Sequence, residues 1–222
     1  MLTIKLVRHG ESEANIGKVS SQEIGDHEIR LSERGHDQAR GAGRAIGAAF
    51  LRGALVYTSP YRRTRQTLAD ILTGACESDV PGLAAQIRVY EDPRLREVEH
   101  GYEAVSAQEE LRKVHGWFYY RFRGGESPAD CYDRTSSFLE SMMRQAERKK
   151  TDRILIVTHG LLIRCFVMRF LHLSVEEFDV LANPVNCAVV TLADKTSIER
   201  PVFVSGKWGV GGLVIRADAD AD

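Results

Sequence analysis

Two segments of the chain end a β-rich run in His-Gly. MLTIKLVRHGESEAN places His9 directly after Arg8, and RILIVTHGLLIRC places His159 before Gly160. An imidazole at such a turn can ligate a metal, serve as base to a neighbouring hydroxyl, or attack an electrophile itself. Two histidines with Glu97 would supply the donors of a zinc site. Neither H-E-x-x-H nor H-x-H occurs, however, and Arg8 would repel a divalent cation. Ser12 stands close to His9, yet the chain has no G-x-S-x-G elbow. Phosphoryl transfer makes best use of the cations. The run SPYRRTRQT brings Arg62, Arg63 and Arg65, and a phosphate dianion is best held by guanidinium forks and helix N-terminal amides. A neutral imidazole in such a pocket can attack phosphorus, while arginine charge stabilises the transition state. With arginine supplying that charge, neither metal nor cofactor is expected.

These residues need a frame that gathers them. TIKLVRH, ALVYTS and RILIVTH are continuously apolar and β-branched, as in strands buried on both faces. IRVY, NCAVVTLA and PVFVSG complete a set of about six. Ser32 caps a helix expected to run to about Phe50. Ser59 with Pro60 predicts another through about Leu72, and Ser127 with Pro128 a long one towards Lys150. LLIRCFVMRFLH reads as a helix, and Ser174 to Glu177 as a capping box for the next. Residues 15–30 read as a long loop. Strands alternating with helices predict an α/β fold: a three-layer sandwich with a mainly parallel central sheet flanked by helices. In such sheets ligands bind at the carboxyl ends of the strands, which puts His9 and His159 on one rim.

Composition narrows the function classes. The 222 residues fit a single domain, expected over 1–216 with ADADAD at 217–222 as a solvated tail. Apolar residues form 43% and charged residues 27%, enough for a real core, and the net charge of -1 gives no nucleic-acid footprint. The apolar stretch LLIRCFVMRFL is interrupted by Arg164 and Arg169, so no membrane partner is expected. Cys76, Cys131, Cys165 and Cys187 have no C-x-x-C spacing, which fits reduced thiols and a cytoplasmic location.

The quoted motifs resemble the histidine phosphatase superfamily, also called the phosphoglycerate mutase-like family. LVRHGESEAN is close to its signature. SPYRRTRQT, LREVEHG, GGESPADCYDR and THGLLIR resemble further blocks along most of the chain. The resemblance implies that His9 is the nucleophile and forms a phosphohistidine. Arg8, Arg63 and a protonated His159 would bind phosphoryl oxygens, with Asn15 in the same pocket. Glu97 would be the acid for the leaving oxygen and then the base for water. Mutases of the family carry a long proline-rich insertion between the glutamate and G-E-S blocks. Residues 98–124 are short and lack proline, which favours a phosphatase acting on a small phosphorylated substrate. A phosphoglycerate mutase and a catalytically idle phospho-ligand or protein-binding module are the alternatives.

Other features read more plainly. Arg62 and Arg65 are expected on a solvated helix face. GAGRAIG imitates a phosphate loop but follows no strand, and is taken as close helix packing; GKWGVGG is taken as a turn region. Within the excursion 103–124, KVHGWFYYRFRGG at 113–125 is either a lid, with Trp117, Tyr120 and Arg121 or Arg123 on the substrate, or aromatic packing with a cationic outer face. The late apolar strands could pair in a homodimer.

Overall fold

A computed structural model describes residues 1–76 and 82–216; the tail expected at 217–222 lies outside the described residues. The sheet contains β1 (Thr3–Arg8), β2 (Leu55–Thr58), β3 (Val89–Glu91), β4 (Arg153–Thr158), β5 (Val189–Asp194), β6 (Phe203–Ser205) and β7 (Trp208–Gly211). Their order is β3-β2-β4-β1-β5-β7-β6. The first four are parallel, whereas β5, β7 and β6 join antiparallel. The sheet thus has seven strands rather than six. The extra one is β7, drawn from the run read as a turn. Only Gly206 and Lys207 make that turn, and Val210 beyond it is fully buried between β5 and β6.

The described helices are α1 (Ser21–Ile24), α2 (Glu33–Ile46), α3 (Ala48–Leu51), α4 (Arg62–Cys76), α5 (Leu83–Gln86), α6 (Glu109–His115), α7 (Pro128–Lys149), α8 (Gly160–Leu171) and α9 (Val175–Asp179). Three begin as their caps direct. Ser32 accepts from the Gly35 N–H, and Ser127 with Asp130 and Ser174 with Glu177 form reciprocal capping boxes. Three boundaries differ from expectation. α2 stops at Ile46, where Gly47 takes φ 76°, instead of reaching Phe50. α4 starts at Arg62, with the Ser59 hydroxyl accepting from His159 at 2.9 Å and from the Tyr61 N–H at 3.4 Å, and it runs to Cys76 instead of ending at about Leu72.

Both faces of the sheet are covered. Ile154 and Ile156 of β4 pack in one core with Phe138 of α7 and Phe166 of α8. Leu155 and Val157 point the other way, into a core with Ala39 of α2 and Ile71 of α4. Burial on both sides is why β4 reads as an unbroken apolar run. GAGRAIG is indeed close packing: a Cβ on Gly43 would lie 2.2 Å from the Ile71 carbonyl oxygen, and one on Gly74 2.2 Å from that of Arg40. Among the described residues no helix is long and apolar enough to cross a membrane.

Candidate active site

Strand register brings the two imidazoles together. β1 and β4 pair with Arg8 opposite Thr158, and the His9 N–H donates to the Thr158 carbonyl at 2.9 Å. The next residues, His9 and His159, are therefore neighbours, with ring centroids 5.3 Å apart at 62°. On the other side of β4, Thr58 of β2 lies opposite Val157, which delivers Ser59 to the same rim.

His9 is 4% exposed, and its Nδ1 lies 2.8 Å from the Gly10 carbonyl oxygen. A carbonyl only accepts, so Nδ1 carries the proton and Nε2 keeps its lone pair. Burial, reinforced by the Arg63 and Arg8 cations, holds His9 well below the ordinary imidazole value, although the Gly10 bond opposes this. His159 is fully buried behind it. Its Nδ1 faces Arg63 Nη2 at 3.3 Å, so its Nε2–H donates to Ser59 Oγ at 2.9 Å. Burial and then the Arg63 cation and the neighbouring His9 push this imidazole well below its ordinary value.

A cavity of about 680 Å³ opens in front of His9, lined by Arg8, Asn15, Arg63 and Glu97, with Asp26 beside Arg63 and with Glu99, His100 and Tyr102 farther round the wall. That volume suits a small metabolite. Arg8 donates through Nη1 to the Pro184 carbonyl at 2.8 Å, while its buried Nε has no hydrogen-bond partner among the described residues. Asn15 Oδ1 accepts from the Ser12 N–H and from Asn186 Nδ2, which leaves its own amide N–H groups as donors for a ligand. Arg63 is buried on α4 and is gripped by Asp26 through both terminal nitrogens. Glu97 accepts from the Val98 N–H at 3.0 Å, yet burial raises its carboxyl above the usual range, against the pull of Arg63 and Arg134.

The structure thus gathers Arg8, His9, Asn15, Arg63 and Glu97 on one cavity, with His159 directly behind. Arg62 and Arg65 stay on the solvated face, paired with Glu28 and Glu91. In the excursion, the four named side chains pack or pair away from the cavity. Trp117 stacks against Phe178 and Arg164, Tyr120 is buried and donates to Gln108, and Arg121 and Arg123 pair outward with Asp130 and Glu103. None of these four lines the cavity; its wall there is residues 98–102 and Gly124. Sequence reading missed four supporting residues. Asp26 and Asn186 lie in loops without a motif, and Ser59 looked like a helix cap. Arg134 donates to the carbonyls of Arg94 and Arg96 and so fixes the segment leading to Glu97. Among the described residues, no group of three or more His, Cys, Asp or Glu side chains is arranged for a metal.

Residues 4–197 match the family model described as histidine phosphatase superfamily (branch 1). The chain is 37% identical over 204 residues to phosphoglycerate mutase-like protein AT74 of Arabidopsis thaliana, covering 84% of this chain and 63% of that protein, so it spans less than two-thirds of that relative's length. It is 28% identical over 299 residues to the broad-range acid phosphatase DET1 of Saccharomyces cerevisiae, covering 92% and 90%. Among solved structures, a mycobacterial glucosyl-3-phosphoglycerate phosphatase superposes with a TM-score of 0.69 at 22% identity, over 96% of this chain and 98% of that one.

Proposed function

The chain belongs to the histidine phosphatase superfamily, branch 1, and from that premise we propose that it is a metal-independent phosphomonoester hydrolase acting on small phosphorylated metabolites. The observation that carries this reading is the tautomer of His9. The Gly10 carbonyl holds the proton on Nδ1, so the ring offers a neutral Nε2 to a cavity lined by two arginines.

In the proposed reaction Nε2 of His9 attacks phosphorus as the ester P–O bond breaks. Arg8, Arg63 and Asn15 take the phosphoryl oxygens, with His159 behind them, and no charge has to be brought in from outside. Glu97 starts protonated, which its raised value favours, and gives its proton to the leaving oxygen. The resulting carboxylate then takes a proton from water. That water attacks the phosphohistidine, the N–P bond breaks, and inorganic phosphate leaves with His9 and Glu97 restored.

The far wall supports hydrolysis over mutase action. Apart from Arg8, and Arg63 with its partner Asp26, the described lining has Glu99, His100 and Tyr102 but no lysine or third arginine. A second phosphate or a carboxylate on the substrate would meet like charge there. Substrates with one anionic group, such as sugar or polyol monophosphates, fit that wall best.

The test is phosphate release from a panel of monophosphates, with mutase flux on 3-phosphoglycerate measured in parallel. Hydrolysis is expected with little mutase flux. His9→Ala should lose turnover to background and fail to form an acid-labile phosphoprotein. A His9→Ala protein of ordinary rate would remove the nucleophile from this mechanism, and dominant mutase flux would replace the hydrolase reading.

A further inference from the structure

The ligand seat holds a carboxylate of the protein's own. Arg63 Nη1 donates to the Asp26 carbonyl at 2.6 Å and to its Oδ1 at 2.9 Å; Nη2 donates to Oδ2 at 3.0 Å and faces His159 Nδ1 at 3.3 Å. Those four contacts use every N–H of the two terminal nitrogens. An arginine engaged in this way has no terminal donor left for a phosphoryl oxygen. A bidentate carboxylate also presents its two oxygens to the fork much as a phosphate does.

Among the described residues, little besides this contact holds Asp26 where it is. Residues Asp26–Glu28 form one 3-10 turn with no buried side chain. Gly25 before them takes φ 72° and ψ 132°, a backbone conformation open to glycine and strained for other residues, so the turn is entered at a pivot. Among the described residues, the other side-chain tie of the turn to the body is Glu28 with Arg62 at 3.5 Å, a pair 55% and 40% exposed and hence weak. The next firm anchors are buried Ile29 and the Leu31 N–H bonded to Gln66.

We propose that Asp26 is a built-in competitor for the phosphoryl seat, so that a phosphate binds Arg63 only as the Asp26 carboxylate leaves it. The inference rests on the reading of Arg63 as a phosphoryl ligand. A phosphate dianion brings a second charge and further oxygens for Arg8 and the Asn15 amide, which line the same cavity and which a single carboxylate on Arg63 does not engage. The exchange therefore favours a dianionic head group over a monoanion, which would only replace one charge by another. Asp26 sets the threshold of the site: apparent affinity falls by the fraction of time that the seat stands open.

Calorimetric titration of the full chain with inorganic phosphate tests this without requiring turnover. Asp26→Asn keeps the shape of the side chain and removes its charge. It should bind phosphate on the order of three- to tenfold more tightly than the unaltered protein, and KM for the best monoester should fall by the same factor. Asp26→Ala is the second variant should the first fail to fold, with the same expectation. Equal or weaker phosphate binding by a folded variant overturns the proposal and makes Asp26 a support that orients Arg63. If neither the unaltered protein nor the variants bind phosphate, the reading of the seat itself falls, and the competitor with it.

Discussion

The imidazole of His9 and the carboxyl of Glu97 are displaced in opposite directions by the same cause, removal from water. Turnover as proposed needs His9 without a proton and Glu97 with one. At ordinary values near 6.5 and 4.3 those conditions rarely coincide, and the two displacements bring them together. We expect kcat/KM to rise with pH as His9 loses its proton and to fall as Glu97 loses its own, with an optimum at about pH 5–7. An optimum above about pH 9 would remove Glu97 as the acid. The same groups make the fold pH-dependent. Glu97 keeps its proton in the folded chain where the unfolded chain releases it, so its contribution is full below the ordinary value and lost as pH rises through the folded one. Glu97→Gln should therefore raise Tm at pH 8 while abolishing turnover, by roughly 2–4 °C for each kcal/mol recovered, and the gain should vanish near pH 4. Calorimetric melts at the two pH values check this. His9 and His159 act in the reverse sense: held neutral when folded, they lose stability as pH falls through about 6.5.

Among the elements, α7 holds the segment that carries Glu97. Its Arg134 grips the carbonyls of Arg94 and Arg96 and pairs with Glu126, which also pairs with Arg96. Arg134 is thus a positioning residue for Glu97. Its charge also draws the Glu97 value down, though burial outweighs it. Arg134→Met should lower kcat about ten- to hundredfold by loosening that segment, and should shift the alkaline limb of the pH profile upward. A drop in rate with an unmoved limb would leave Arg134 merely structural. Most elements were legible in the sequence because their signals are local: the apolar runs of β1, β2 and β4, and the caps at Ser32, Ser127 and Ser174. The misreadings came where tertiary contact overrode a local signal. Ser59 looked like a cap but bonds His159, and the glycines of β7 looked like a turn but lie in a strand with buried Val210. KVHGWFYYRFRGG was ambiguous because its partners, Phe178 and Arg164, come from distant segments.

At the scale of the whole molecule, the family resemblance of the motifs pointed to His9, His159, Arg8, Asn15, Arg63 and Glu97, and the fold gathers all six around one cavity, His159 from behind. What spacing could not indicate is the occupant of the Arg63 fork, because Asp26 sits in a loop of unremarkable composition and its meaning arises only from position. The sheet order carries one more consequence, for the making of the protein. β1 is the first strand of the chain, yet its neighbours on either side are β4 and β5. During synthesis this apolar strand emerges long before either partner exists. Its backbone donors and acceptors, and side chains such as Ile4 and Leu6, must wait while more than half the chain is made. The nascent protein is exposed to mispairing and aggregation for that interval. The same delay holds for the candidate site: until the segments carrying His159 and Pro184 dock, His9 has no second imidazole behind it and Arg8 lacks the carbonyl that orients it, so the site is assembled late in folding.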